Sequence, residues 1–240
     1  MPVNHLFPLL AATRGPAMFV ALSRAFAQLP DPRLRRVLLR SVGLTLLGVV
    51  LLGVGAAVGV DLLQTTGIGW LETALDGLAG LGVMALTLVF FPSLVAVMAG
   101  LFLDEVADAV EARYYPALGQ PRRVPLGEGV RLAGRFALIS LGLNLVALPL
   151  YLIPGVNMVL FYGLNGYLIS REFFEQAAHR RLPPAEARAL RKRHQGQVWA
   201  LGAVLAFLGT LPGLNLLLPL VGTACLVHLV ERLRPAGSPS

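Results

Sequence analysis

The chain has 240 residues, 56% of them hydrophobic and only 14% charged, with a net charge of +7 and a mean hydropathy of +0.71. A soluble domain averages about 45–50% apolar and about 25% charged residues, so disorder, a coiled coil and a soluble enzyme core are excluded. Four runs lack Asp, Glu, Lys and Arg altogether, residues 41–60, 77–103, 136–170 and 194–230, and they mark an all-α integral membrane protein.

The first predicted element is a long helix over 34–60, preceded by Pro30-Asp31-Pro32-Arg33-Leu34-Arg35-Arg36. Pro32 suits a first helical position, where a fixed φ helps and no N–H is wasted. A helix start carries free N–H groups and partial positive charge. With Arg33, Arg35 and Arg36 added, it can serve either as a cytoplasmic anchor snorkelling to lipid phosphates or as a site for a compact oxyanion. A second long helix is expected over 75–112, kinked or divided at Pro92. Its end carries Asp104, Asp108 and Glu111 on one side, read as a solvated face beyond the membrane.

Two hairpins follow, over 131–175 and 197–233, joined by a basic connector at 176–196. Their turns share one Pro-Gly-apolar-Asn pattern, Pro154-Gly155-Val156-Asn157 and Pro212-Gly213-Leu214-Asn215. Proline ends a helix, glycine permits a positive φ, and asparagine is expected to cap the next helix. The arms are short: 197–211 rises only about 22 Å, against a hydrocarbon core of about 30 Å. Each hairpin can cross a thinned bilayer or dip in and return. The absence of charge near either turn favours the second course.

Basic residues fall in 14–40, 113–135, 171–193 and 232–234, whereas 61–76 holds Asp61, Glu72 and Asp76 and no base. The positive-inside rule puts the basic blocks and both termini in the cytoplasm and 61–76 outside. The net charge is therefore read chiefly as topology, with the connector beside lipid headgroups. Nucleic acid is not expected as a partner, since no groove-reading or base-stacking module accompanies the arginines.

Chemistry-bearing motifs are scarce. No nucleophile elbow, phosphate loop or metalloprotease helix occurs, so no enzyme, cofactor or metal is expected. Cys225 is a single packing residue, and His5, His179, His194 and His228 lie at no ligand spacing. The charge-free runs contain no carboxylate, which points away from a proton-coupled pump and toward a channel-like path.

The run Asn165-Gly166-Tyr167-Leu168-Ile169-Ser170-Arg171-Glu172-Phe173-Phe174-Glu175 resembles the N-G-Y-L-x-x-R-E-F/Y-F-E signature of the CysZ-type sulfate permeases, within the wider etoposide-induced protein 2.4 family. The later P-G-L-N and Pro219 are similar to that family's final hairpin. The segment 32–36 resembles its P-G-L/I-R-R motif, with Arg33 in place of the glycine. The resemblance implies an oligomeric bacterial inner-membrane protein admitting sulfate for cysteine synthesis. It also implies two long helices, two partly penetrating hairpins, and sulfate binding at Leu34, Arg35 and Arg36, with Arg33 as a further candidate. The alternative is a non-transporting, membrane-shaping member of the same family.

Overall fold

The computed structural model describes residues 17–63, 69–211 and 213–234, and no strand occurs among them. The helices run α1 Ala17–Gln28, α2 Pro32–Leu63, α3 Gly69–Gly100, α4 Leu103–Tyr114, α5 Leu126–Ala147, α6 Val156–His179, α7 Pro184–Arg193, α8 Gln195–Gly209 and α9 Leu214–Leu233. A short 3-10 segment, Leu148–Leu152, extends α5 toward the first hairpin turn.

Local chemistry accounts for most boundaries. Pro32 is the first residue of α2 and Pro184 the first of α7, both positions where the missing N–H costs nothing. Of the kink or division expected at Pro92, the division does not occur, because α3 remains helical through that position. The break falls instead between Gly100 and Leu103. Glycine is a poor helix former, and Asp104 and Glu105 in the first turn of α4 favour a fresh N-terminus there. The linker between α2 and α3 is also shorter than expected. Residues 61–63 and 69–76 are helical, and 64–68 lie outside the described residues.

Both hairpin turns rest on glycine. Gly155 has φ 83° and Gly213 φ 82°, the left-handed region where a side chain is strained. Pro212 lies outside the described residues. The expected asparagine caps do not form, because each next helix is capped by its glycine with no side-chain bond. Asn157 and Asn215 sit two residues past the cap, where their own backbone N–H groups bond to Ile153 O and Leu211 O at 3.2 Å. A residue inside the first turn needs an acceptor and is badly placed to be one.

The last helix is the centre of the molecule. α9 packs against α1, α3, α4, α6 and α8, and every residue from Pro219 to Val230 is buried. Around it gather Ala21 and Ala25 of α1, Val110 of α4, Phe174 of α6, and Leu201 and Leu205 of α8. A smaller cluster of Leu34, Val37, Val106, Ala109 and Leu220 fixes the start of α2 against α4 and α9.

Three stretches are long and apolar enough to cross a membrane among the described residues: Pro32–Gly59, Leu126–Leu152 and Leu214–Leu233. They differ in what covers them. Only 6% of the most apolar window is buried in each of the first two, against 67% in α9. Exposed apolar surface of that extent, from Leu44 to Val58 and from Leu126 to Leu152, requires lipid or protein to cover it.

Candidate anion site and the ion cluster beside it

The start of α2 is anchored on one side and charged on the other. Leu34 and Val37 point into the core, and Ser41 and Thr45 continue that buried stripe. At 3.6 residues per turn, this inward stripe directs Arg35 and Arg36 away from the body, and both are exposed. Arg33 is exposed as well. No ion pair engages Arg33, Arg35 or Arg36 among the described residues.

The helix start itself is partly occupied. Asp31 Oδ1 accepts the backbone N–H of Arg33 at 2.9 Å, and its backbone oxygen accepts that of Arg35 at 3.0 Å. Its second carboxylate oxygen accepts from Arg113 Nη1 at 3.0 Å. A built-in carboxylate thus caps α2, as the partial charge there favours. What remains available to a mobile anion is guanidinium charge from three side chains.

Nearby arginines behave differently. Arg180 and Arg181, at the end of α6, reach into the acidic side of α4. Arg180 donates to Asp104 at 3.0 Å, to Glu111 at 3.1 Å, and to Asp108. Arg181 donates to Glu111 and to Gly119 O at 2.6 Å. Burial opposes the Arg180 charge, but hydrogen bonds and charge from Glu111 and Asp108 outweigh it and raise its pKa. The acidic face expected to be solvated is therefore a clasp. Asp104 and Asp108 keep 83% and 63% of their side chains in solvent, but Glu111 keeps only 9%. Spacing on α4 showed the row of acids, but their partners lie about seventy residues away in sequence, where no periodicity points to them.

The 165–175 run serves the packing of α6. A Cβ on Gly202 would lie 2.0 Å from Gly166 O, and one on Gly166 would lie 2.8 Å from the Ala203 backbone. The two helices thus cross at van der Waals contact of their backbones. Trp199 Nε1 donates to Gly163 O at 3.1 Å one turn away. Asn165 donates to Phe161 O at 2.8 Å along its own helix, and Tyr167 is half-buried. Arg171 pairs with Glu175 at 3.2 Å, which Arg191 of α7 also approaches at 3.3 Å. Glu172 stands apart from these pairs and lines a cavity.

Residues 21–219 match the family model described as sulfate transporter CysZ/etoposide-induced protein 2.4. The chain belongs to that family. No curated protein matches the chain significantly. The family match runs from α1 into the start of α9, so it includes both the arginine-bearing start of α2 and the Gly166–Gly202 crossing. As in the sequence, a CysZ/etoposide-induced protein 2.4 chain here carries arginine at position 33.

Proposed function

We propose that this protein is a sulfate permease of the bacterial inner membrane, passing the dianion or a related oxyanion along a channel-like path that supplies cysteine synthesis. The observation that carries this reading is the unpaired charge at the start of α2. Arg35 and Arg36 are exposed and meet no carboxylate among the described residues, on a helix whose core face is locked by Leu34. Guanidinium groups match oxyanion geometry with paired N–H donors, and a fixed backbone presents them without a large ordering cost. Arg33 adds a third positive charge where the family motif has glycine. With Asp31 holding the Arg33 N–H, anion binding rests on side chains more than on the helix terminus.

In this reading both termini face the cytoplasm, α2 and α3 cross the bilayer, and the hairpins α5–α6 and α8–α9 enter it only partly. Two long helices and two shallow hairpins enclose little space, so the conducting path requires a homo-oligomer. The protein has no enzymatic role.

The test is sulfate flux into liposomes containing the purified protein. Wild type is expected to exceed empty liposomes, and Arg35→Ala/Arg36→Ala to lose at least tenfold of that excess. Undiminished flux in the double variant overturns the site. Wild-type flux equal to empty liposomes, with altered vesicle curvature, favours the membrane-shaping alternative, which the exposed apolar surface of α5 would serve.

A further inference from the structure

A cavity of about 450 Å3 opens between the start of α4, Val124, the first half of α5 and the end of α6. That is within the range of about 300–1,000 Å3 common for small-molecule sites, which combine apolar walls with a few convergent polar groups. Leu132, Ala133 and Phe136 of α5 supply apolar wall, while Glu172, Gln176 and His179 of α6 supply polar groups.

The charges around it do not balance at one residue. Asp104 is taken by Arg180, and Glu175 by Arg171 and Arg191. Arg171 also lies over the Phe136 ring, 6.0 Å from its centroid. Glu172 has no ion pair or hydrogen bond among the described residues. Its side chain is exposed to solvent on the open side of the cavity, while the protein packed on its other side raises its carboxyl above the ordinary range by desolvation. His179 is buried, both its ring nitrogens are covered and unpartnered, and burial lowers its pKa, so it contributes a neutral wall.

An unpaired carboxylate beside apolar side chains is complementary to a cation that brings its own hydrogen-bond donors and an apolar body. A dianion is disfavoured by the one carboxylate on the wall that no arginine neutralises, Glu172, which separates this cavity from the sulfate site. No group of three or more His, Cys, Asp or Glu side chains able to hold a metal ion occurs among the described residues.

We propose that the α4–α5–α6 cavity binds a primary ammonium group on an apolar stem, with Glu172 as its counter-charge. The ammonium donates to the Glu172 carboxylate and to the Gln176 side-chain oxygen, and the stem lies along Leu132, Ala133 and Phe136. The same chemistry is offered by an ethanolamine lipid headgroup and by a soluble alkylamine. Either occupant bridges α5, which has few other contacts with the body, to α6.

The experiment measures thermal unfolding of the full-length protein in detergent against increasing hexylamine, with 1-hexanol and hexanoate as matched probes. Hexylamine is expected to raise the midpoint saturably and the other two are not. Glu172→Gln and Gly129→Leu are each expected to weaken the hexylamine response at least tenfold. A Cβ at Gly129 meets nothing within 4 Å, so leucine there fills the cavity without forcing the backbone. An equal shift from hexanol, or an unchanged response in both variants, overturns the proposal. Lipid nanodiscs then separate the sources. Phosphatidylethanolamine raising the midpoint over phosphatidylcholine and blocking hexylamine supports the headgroup, and an equal hexylamine shift in both lipids supports the soluble amine.

Discussion

The two hairpins share a turn and little else. Gly155 and Gly213 adopt the same left-handed conformation, and both flanking sequences are apolar and free of charge. Yet α5 leaves its apolar side chains exposed on nearly every face, with Leu138, Leu141, Leu145 and Val146 all uncovered. α9 is enclosed by α1, α3, α4, α6 and α8. Hydrophobicity alone does not say whether a helix meets lipid or protein. Side-chain size does not say it either: α9 carries Gly222, Thr223, Ala224 and Cys225 at its centre, where small residues let neighbours approach, but α5 carries Gly127, Gly129, Ala133, Gly134 and Gly142 and stays uncovered.

The sharpest way to break this contrast is at the glycines. Gly202→Ala forces a Cβ into the Gly166 carbonyl and is expected to abolish the α6–α8 crossing, seen as aggregation or loss of a cooperative melt in detergent. Gly142→Ala on α5, where a Cβ meets nothing within 4 Å, is expected to leave the melt intact or raise it slightly. Equal damage from both would show that α5 is packed as closely as the α6–α8 crossing.

Next in size is the clasp. Glu111→Gln removes the buried partner shared by Arg180 and Arg181 and is expected to cost about 3–5 kcal/mol, because guanidinium charge is left buried and undercompensated. Arg40→Ala breaks the exposed pair with Glu105 and is expected to cost about 0–1 kcal/mol. Chemical unfolding of both variants in one detergent compares them directly.

Leu141→Arg tests what covers α5. If lipid does, membrane insertion loses about 3 kcal/mol, read as reduced membrane-integrated yield in cells with the detergent-solubilised melt unchanged. Unaffected yield would place that face against protein or water.

The smallest expected effect concerns His179. Its pKa is lowered chiefly by burial, with Arg122 adding to the shift and Glu175 opposing it. Below the ordinary value of about 6.5 the unfolded chain takes a proton that the folded chain refuses. Stability is therefore full above about pH 6.5 and declines as pH falls through that value toward the folded pKa. His179→Gln is expected to flatten the thermal midpoint between pH 7 and pH 5.5. An identical slope in the variant would assign the acid sensitivity to other groups.

Much of this was readable without coordinates. Charge-free runs announced membrane helices because no charged side chain is cheaply buried in lipid, and the paired Pro-Gly turns marked hairpins because glycine alone tolerates the required φ. The motif at 165–175 and the arginines at 33–36 were found by residue type and order. Their surroundings were not. That Asp31 caps α2, that Glu111 is closed over by Arg180 and Arg181, and that Glu172 is left unpaired depend on which helices meet. Those meetings join positions about seventy to eighty residues apart, for which a single sequence carries no periodic signal. Composition by itself determined that the chain is an all-helical membrane protein. Only tertiary packing decided that α9 is core, that α5 is surface, and which arginines among the described residues stand without a counter-charge, because burial and pairing belong to neighbours in space.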